Sequence, residues 1–292
     1  MRYVNDFKDY EVLTCGNFYK IERFGKYILK RPDPQAMFEI VNKKEYKLNA
    51  VYNRSNKGGG YWDFFDLPKE WNLSYDLTSE TKINFYLKPF SFKHVGIFPE
   101  QATNWQWMNK IIKNAQIKNI RVLNLFAYTG LASLACALSG ANVTHVDASK
   151  GMVNFAKENA DLSNVSKDKI RYIVDDCKKF VEREIRRGNT YHGIILDPPS
   201  YGRGPNKEIW KIEDNIYDFV KLTSKLLDKD ALFYLLNSYT TGLQCGVMDY
   251  IVKDIIVREH GGQVTCGEIG IPVKDTGLIL PEGNSVRWEK NE

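Results

Sequence analysis

The sequence predicts an α/β protein: a doubly wound, mostly parallel sheet preceded by a smaller β-rich module. Three observations support this. Five apolar runs alternate with helical stretches after residue 120, aromatic and β-branched residues alternate with polar ones before residue 99, and the chain has 292 residues. A domain usually has about 100 to 150 residues. We therefore expect two units, a β-rich module over residues 1–98 and a larger α/β domain over residues 99–292.

The first module is predicted to consist of strands. YKIERFGKYILKRP (19–32) and KINFYLKP (82–89) place apolar and polar residues in alternation, and Pro32 and Pro34 end the first of these segments. Between these two strand segments, RSNKGGG (54–60) has the composition of a turn or mobile loop.

A helix is predicted to open the second domain. PEQATNWQWMNKIIKNA (99–115) spaces its large apolar residues as one face of a helix. These residues are Trp105, Met108, Ile111 and Ile112.

Strands and helices then alternate, as expected for a parallel sheet covered on both faces. A helical stretch follows each of the five predicted strands, which are RVLNLF (121–126), NVTHVD (142–147), IRYIVD (170–175), GIILD (193–197) and LFYLLN (232–237). After a further helix over residues 246–260, QVTCGEIG (263–270) and SVRWE (285–289) are predicted to add two closing strands.

Composition indicates an ordinary globular protein, with 43% hydrophobic and 26% charged residues. The longest apolar run, Leu131 to Leu138, falls well short of the ~18 to 20 residues that span a bilayer. The N-terminus lacks the apolar core of a signal peptide, so we expect a cytoplasmic protein that does not act at a membrane. A net charge of +5 is compatible with a polyanionic partner, but many proteins that bind none carry a similar charge.

Cysteine and histidine are scattered and form no C-x-x-C or H-x-x-x-H pair. We therefore expect no metal centre, structural roles for the histidines, and reduced, buried thiols. The residues are Cys15, Cys136, Cys177, Cys245 and Cys266, and His94, His145, His192 and His260.

The ends of the first three predicted strands carry polar groups that fit a nucleoside. Open parallel sheets bind ligands beyond the carboxyl ends of their strands. The turn 126–130 (FAYTG) runs into a helix whose N-terminus could receive a carboxylate. Asp147 follows 17 residues after Gly130, near the ~20 expected for an acid that holds ribose hydroxyls. In Asp175-Asp176-Cys177, a carboxylate and a neighbouring N–H could bind the edge of adenine.

Each of these features alone has an ordinary structural explanation, since such a glycine is often just a turn and such an aspartate a helix cap. Together, in this order, they favour a nucleoside. A nicotinamide cofactor normally requires G-x-G-x-x-G, whereas FAYTGLAS has a single glycine. A carboxylate at the helix N-terminus, with the rings of Phe126 and Tyr128 near a sulfonium, points instead to S-adenosylmethionine.

The fourth strand ends in Asp197-Pro198-Pro199-Ser200-Tyr201, a turn rich in hydrogen-bond acceptors because proline has no N–H. The Asp197 carboxylate and the Pro198 carbonyl could hold a planar nitrogen base while Tyr201 stacks on its face. The alternative is a rigid exit from the strand with no chemical role.

These motifs resemble the class I S-adenosylmethionine-dependent methyltransferases, and among them the bacterial ribosomal RNA large-subunit methyltransferases, over about residues 90–240. VLNLFAYTGLAS resembles the family's cofactor loop, VDAS its ribose-binding acid, DDC its adenine contact and DPPSYGRG its catalytic turn. The resemblance implies a seven-stranded sheet with an antiparallel seventh strand. It also implies that FKHVGIFPEQ (92–101) lies over the methionine end of the cofactor.

Site residues are implied by the same resemblance. Those expected to bind the cofactor are Phe98, Gln101, Phe126, Ala127, Tyr128, Thr129, Gly130, Asp147, Ala148, Ser149, Asp176, Cys177 and Asp197. Those expected to act in catalysis are Asp197, Pro198, Pro199 and Tyr201.

One departure from the family bears on mechanism. Members that methylate cytosine C5 use a cysteine after the fifth strand, but LLNSYTTG (235–242) has Ser238 there. We therefore expect direct transfer to a base nitrogen, such as guanine N2 or N7.

Substrate contacts are expected from Ser200, Arg203 and Trp210. The segment GRGPNKEIWK (202–211), with an exposed Trp210, has the composition of a mobile lid, although it could also be a plain surface connection.

Three functions share this cofactor site. The first is an RNA base methyltransferase acting on ribosomal RNA, the second a methyltransferase for a small molecule or protein side chain, and the third a nucleoside-binding regulator without activity. Intact DPPSY argues against the third. The first module carries four cations, which favour the RNA methyltransferase and would give that module a role in substrate recognition. They could equally form a solvated strand face. These cations are Arg23, Lys26, Lys30 and Arg31.

Overall fold

The computed structural model describes residues 1–40, 44–55, 59–203 and 209–290, and of Arg203 only the backbone. These residues form two compact units. The first comprises Met1–Thr103 and Ile269–Glu282, and the second comprises Asn104–Glu268 and Gly283–Glu292. The segment Ile269–Glu282 thus belongs to the first unit, whereas the sequence analysis predicts two units that are each continuous in sequence, with the boundary after residue 98. Periodicity identifies strands, but it does not say with which unit a late strand packs.

The first unit is built from strands. Five of them form a sheet in chain order, antiparallel except for the parallel pair β3 and β4, and two more form a separate antiparallel ribbon. The strands are β1 (Tyr10–Gly16), β2 (Tyr19–Phe24), β3 (Tyr27–Pro32), β4 (Ala50–Arg54), β5 (Gly60–Phe64), β6 (Trp71–Asp76) and β7 (Lys82–Leu87). A β-rich first unit is therefore confirmed.

Buried ions hold the first unit together. The guanidinium of Arg31 donates two hydrogen bonds of 2.7 Å to the fully buried carboxylate of Glu22. Lys20 lies 3.0 Å from Asp33 and 2.5 Å from Glu282. Burial raises the pKa of Glu282 to about 8, against the opposing attraction of Lys20. Charges taken out of water are tolerated only when they are paired in this way.

The predicted alternation of strands and helices follows. A 3₁₀ turn (Pro99–Gln101) and α1 (Ala102–Asn114) precede β8 (Arg121–Leu125), α2 (Leu131–Leu138), β9 (Asn142–Asp147), α3 (Lys150–Leu162), β10 (Ile170–Val174), α4 (Cys177–Arg186), β11 (Gly193–Leu196), β12 (Tyr201–Arg203), β13 (Ile209–Lys211), α5 (Ile212–Ser224), β14 (Phe233–Ser238), α6 (Cys245–Val252), a π-helical turn (Lys253–Val257), α7 (Arg258–His260), β15 (Gln263–Pro272) and β16 (Ile279–Glu289).

Seven strands form the main sheet in the order β10-β9-β8-β11-β14-β16-β15. β10, β9, β8, β11 and β14 pair in parallel, and β16 runs antiparallel to β14. This arrangement confirms the predicted doubly wound sheet, including its antiparallel strand. Because strand order reverses between β8 and β11, a crevice for ligands is expected at their carboxyl ends.

The sheet is buried because helices cover it. Every residue of β11 and β14 is buried, as expected for strands covered on both faces. On α1, Trp105, Met108 and Ile112 are buried, so its predicted apolar face does pack inward. Within the described part of the chain, no helix has the length and apolar character that crossing a bilayer requires.

Two cysteines are paired, contrary to the expectation of five reduced thiols. Cys245, at the start of α6, and Cys266, in β15, form a disulfide with their Cα atoms 5.8 Å apart. Sequence spacing did not reveal the pair because β15 brings Cys266 back beside α6 only in the folded chain. The remaining thiols are buried: Cys15, Cys136 and Cys177.

We predict that Cys266→Ser lowers the free energy of unfolding under oxidising conditions by about 3 kcal/mol, since the disulfide closes a loop of 21 residues. Urea titration measures the loss. In the presence of dithiothreitol the variant and the wild type should differ little. If reductant leaves the wild-type transition unchanged and peptide mapping finds free thiols, the disulfide does not form in solution.

Candidate functional site

The segments after β8, β9 and β11 lie side by side at the carboxyl ends of the strands in the second unit's sheet, which we call the ligand edge. Leu125 pairs with Val146 on one side and Leu196 on the other, so the three strands end side by side. Parallel pairing therefore gathers the predicted cofactor turn, the predicted ribose acid and the DPPSY turn at neighbouring positions.

The turn after β8 has an uncommon backbone. Phe126, Tyr128 and Gly130 have φ angles of 56°, 51° and 87°, a region that residues other than glycine seldom adopt. Non-glycine residues in this region store strain, which surrounding contacts must offset. At Gly130 a methyl group would lie 2.8 Å from the Cβ of Ala156, so only glycine fits there. Such close packing lets the helix after the turn approach its neighbour.

Helix α2 starts directly after this turn. Its N-cap is Gly130, which offers no side chain to the first amide groups of the helix. Amides in the first turn of a helix have no acceptor within the helix. Together with the helix dipole, they favour an anion such as a carboxylate at this position.

Asp147, the last residue of β9, fixes the turn. One carboxylate oxygen accepts from the amide of Tyr128 at 2.9 Å, and the other accepts from the amide of Ser149 at 2.8 Å. Burial raises the pKa of Asp147, against these two hydrogen bonds. A carboxylate has about four acceptor positions, so Asp147 retains capacity for hydroxyl donors. Ala148 and Ser149, which follow, are exposed.

The third strand end is organised by helix α4. Asp176 is its N-cap and accepts from the amide of Lys179 at 2.9 Å. Cys177 is buried, and its sulfur accepts from the amide of Phe126 at 3.3 Å. Burial raises the pKa of Cys177 strongly, so this thiol stays protonated. It links the first and third strand ends and is unsuited to be a nucleophile.

The Asp197–Tyr201 turn follows β11 and becomes progressively more exposed. Asp197 is half-buried, Pro198 is buried, Pro199 and Ser200 are exposed, and Tyr201 is 50% exposed. A hydrogen bond from the segment after β14 holds the turn, because the hydroxyl of Thr240 donates to the hydroxyl of Ser200 at 2.6 Å.

Trp210 was predicted to be exposed, and this prediction is wrong. Its ring is half-buried, with centroids 5.4 Å from Phe126 and 5.5 Å from Phe219, and its indole N–H donates to the Pro199 carbonyl at 2.6 Å. The sequence shows a tryptophan in a polar segment, but Phe126, one of the two rings it contacts, lies far away in the chain. Trp210 thus contacts both the turn after β8 and the turn after β11.

The predicted lid is in part a ribbon. β12 and β13 pair antiparallel, with Gly202 opposite Trp210. Residues 204–208 and the Arg203 side chain lie outside the described residues, so the role predicted for Arg203 is not addressed by the structure.

A cluster of buried polar side chains at the end of β14 was not predicted from the sequence. Asn104 on α1 donates to the Asn237 side-chain carbonyl at 3.2 Å and accepts from Arg287 at 2.9 Å. The neighbouring Ser238 is buried, and its hydroxyl accepts from the amide of Thr240 at 3.1 Å. Asn104 gives no signal in the sequence because it lies within the apolar pattern of α1.

Two predicted cofactor contacts belong to the first unit. Phe98 is the N-cap of the 3₁₀ turn, and its carbonyl accepts from the amide of Gln101 at 3.1 Å. Gln101 is buried. Their contact with the cofactor stays a prediction. Over the described ranges, no group of three or more His, Cys, Asp or Glu side chains is placed to hold a metal ion.

The fold as a whole has a close counterpart among solved structures. The crystal structure of the SAM-dependent methyltransferase from Agrobacterium tumefaciens is 34% identical, with a TM-score of 0.92 over 99% of this chain and 93% of that one. Among curated proteins, ribosomal RNA large subunit methyltransferase K/L of Pseudoalteromonas translucida is 29% identical over 56% of this chain. The same enzyme of Legionella pneumophila is 29% identical over 61%. These matches span only 22% and 24% of those two longer proteins.

The family described as S-adenosylmethionine-dependent methyltransferase matches residues 70–237, more than half of the chain. That segment contains the turn after β8, Asp147, the start of α4 and the DPPSY turn. The nicotinamide and non-catalytic alternatives are thereby set aside. The chain belongs to the S-adenosylmethionine-dependent methyltransferases and is an enzyme that uses S-adenosylmethionine as its cofactor.

Proposed function

We propose that this enzyme methylates a base nitrogen of RNA, with ribosomal RNA as the substrate, by direct in-line transfer. The observation that carries the proposal is the acceptor-rich turn from Asp197 to Tyr201, which ends in a half-exposed tyrosine ring at the ligand edge of the sheet. Ser238 in place of a cysteine, and the buried, protonated Cys177, leave this edge without a thiolate nucleophile.

The residues at this edge fit S-adenosylmethionine, which supplies an electrophilic methyl group on a sulfonium. In our proposal the N-terminus of α2 holds its carboxylate, Asp147 accepts from the ribose hydroxyls, and Asp176 with the first amide of α4 binds the adenine. The bent turn at Phe126 and Tyr128 brings backbone amides and aromatic rings to the same place. Phe98 and Gln101 complete the set by resemblance to the family.

The target base is held by groups of the DPPSY turn. The Asp197 carboxylate and the Pro198 carbonyl accept hydrogen bonds from a nitrogen base, and Tyr201 stacks on its face. Trp210 fixes the Pro199 carbonyl at 2.6 Å, so the turn cannot easily change shape. Ser200 and Arg203 are proposed to contact the rest of the substrate.

Orientation accounts for most of the catalysis that such a site must provide. Holding two reactants in line can supply several kcal/mol of barrier lowering without any acid or base. For guanine N7, no proton has to leave. For an exocyclic amine such as guanine N2, the carbon–nitrogen bond forms as the carbon–sulfur bond breaks, and Asp197 is placed to accept the released proton.

RNA is preferred over a small molecule or protein side chain because of the relatives. Those of Pseudoalteromonas and Legionella are named for ribosomal RNA, although the match covers a fraction of their length. A net charge of +5 agrees with a polyanionic substrate. With ribosomal RNA as the substrate, the cytoplasm is the proposed location of the enzyme.

Nucleoside mass spectrometry tests the proposed substrate. Ribosomal RNA from a strain that lacks the gene should be missing one methylated base, and the purified enzyme should restore it with labelled S-adenosylmethionine. Unchanged nucleosides, together with methylation of a small-molecule or protein fraction, would transfer the activity to the alternative substrates.

We predict that Asp147→Ala weakens S-adenosylmethionine binding at least tenfold, which corresponds to about 1.4 kcal/mol. The variant loses a charged acceptor for ribose and the carboxylate that holds the Tyr128 amide. Isothermal calorimetry measures the affinity, and Asp230→Ala, which removes an exposed carboxylate from the loop before β14, serves as the control. Equal affinities in both variants would exclude Asp147 from the cofactor site.

We predict that Asp197→Ala lowers kcat by about 100-fold or more, while Cys177→Ser retains appreciable methyl transfer. The reason is that Asp197 orients the target base, whereas the buried Cys177 thiol contacts the Phe126 amide and the Val146 carbonyl. Single-turnover assays with RNA separate chemistry from binding. Covalent trapping of the enzyme by 5-fluorocytosine RNA would contradict direct transfer to nitrogen.

We predict that Arg203→Ala weakens RNA binding and reduces the slope of log affinity against log salt by about one, with cofactor affinity intact. Neutralising one phosphate contact has this effect. Filter binding across a salt series provides the slope. If the slope and the affinity are unchanged, Arg203 is not an RNA contact.

A further inference from the structure

The first unit carries aromatic rings on its surface that are not among the predicted site residues. Four of them form what we call the aromatic ladder: Trp62 and Phe64 on strand β5, and Phe90 and Phe92 in the segment after β7. Phe64 is 56% exposed and Phe92 39% exposed. Large apolar side chains clustered at a surface commonly mark an interaction site.

The rings of the ladder are nearly parallel in pairs. Trp62 and Phe64 lie 6.0 Å apart with planes 18° from parallel, and Phe90 and Phe92 lie 5.3 Å apart at 14°. At these distances the paired rings are offset from one another, and Phe64 and Phe92 are the exposed members, Phe92 in a T-shaped arrangement with the His94 ring, 5.5 Å between centroids. Flat, offset faces of this kind can receive another flat ring by stacking.

The ladder is fixed in place by its own hydrogen bonds. The Trp62 indole N–H lies 2.9 Å from the Phe90 carbonyl and 3.3 Å from the Phe92 carbonyl, and it donates to both. The ring of buried Tyr52 on β4 packs edge-on to Trp62 at 5.2 Å. A surface held in this way loses little conformational entropy when a ligand binds.

A cation accompanies the rings, and the acid on strand β5 faces away from them. The ammonium of Lys88 lies 5.9 Å from the centre of the Phe90 ring, whereas that of Lys93 is directed to the Pro32 carbonyl, to which it donates at 3.2 Å. Asp63 lies between Trp62 and Phe64, but alternate residues of a strand point to opposite faces, and its carboxylate accepts from Asn53 at 2.7 Å. Aromatic rings interleaved with cations fit a polyanion that carries flat bases.

We infer that the aromatic ladder is a stacking platform for unpaired bases of a single-stranded RNA segment. This inference rests on the proposed RNA substrate. Bases stack on aromatic side chains regardless of sequence, and Lys88 beside the Phe90 ring attracts the phosphates. The platform would hold nucleotides of the substrate other than the one that is methylated.

A strand of a second copy is the alternative occupant, because β5 is an edge strand of the five-stranded sheet. The paired rings, the exposure of Phe64 and Phe92 and the adjacent Lys88 favour bases over a protein strand, because strand addition uses the backbone edge and has no need of parallel aromatic faces.

The test compares Phe64→Ala with Phe65→Ala in the full-length enzyme. Phe65 is the same residue type, one position along and 65% exposed, but lies outside the ladder. Phe64→Tyr keeps the ring and Phe64→Leu keeps an apolar side chain without it. The probes are a fluorescein-labelled single-stranded oligoadenylate of about 12 nucleotides and a duplex RNA of the same length, followed by anisotropy.

Phe64→Ala and Phe64→Leu are expected to weaken binding of the single strand by about fivefold or more, because stacking contributes about this much per base. Phe64→Tyr and Phe65→Ala should bind like the wild type, and duplex binding should change little. Thermal unfolding and S-adenosylmethionine affinity should be unchanged in all four variants.

Other outcomes overturn the inference. These are equal affinity of Phe64→Ala and wild type for the single strand, an equal loss in Phe65→Ala, an equal loss for duplex RNA, or a dimeric wild type that Phe64→Ala converts to a monomer. Failure of the proposed function looks different. If the ladder variants lose single-strand binding but the wild type methylates no RNA, the platform stands and the substrate assignment fails.

Discussion

The carboxylate of Asp147 is the group on which the geometry of the site depends. It binds amides from two segments, at Tyr128 and at Ser149, and so joins the end of β8 to the end of β9. It supplies part of what offsets the strain of the left-handed residues in the turn after β8, together with the amides of Phe126 and Ala127, which donate to the Cys177 sulfur and the Val146 carbonyl. Burial raises the pKa of this carboxyl group, so the charged form lies in an unfavourable environment at the position where its hydrogen bonds hold the turn.

A cluster of aromatic rings extends this organisation across the edge of the sheet. Trp210 contacts Phe126 in the turn after β8 and donates to Pro199 in the turn after β11. The two turns therefore share a side chain. A shift of the Asp197–Tyr201 turn would disturb Trp210 and, through it, Phe126. Rigid junctions of this kind suit a reaction in which position, more than acid–base chemistry, determines the rate.

Much of this architecture could be predicted from the sequence. The runs that became β8, β9, β11 and β14 are largely buried, so their apolar character is nearly continuous and their ends are marked by polar residues. β10 lies at the edge of the sheet and is only partly buried. The predictions that failed depended on contacts between residues distant in the chain. Trp210 is covered by Phe126, and Cys266 is brought to Cys245 by the return of β15. Neither contact leaves a periodic or local trace in the sequence.

The late segment Ile269–Glu282 has a consequence for the order in which the chain can fold. Glu282 accepts a hydrogen bond from buried Lys20, and the backbone of Lys274 donates to the carbonyl of Val12, so residues separated by more than 250 positions complete one core. A nascent chain that has been translated only to the end of β7 has every strand of its five-stranded sheet but lacks Glu282. The core of the first unit is therefore complete only once residue 282 has been synthesised, whereas the parallel strands from β8 to β14 pair with one another within residues 121–238.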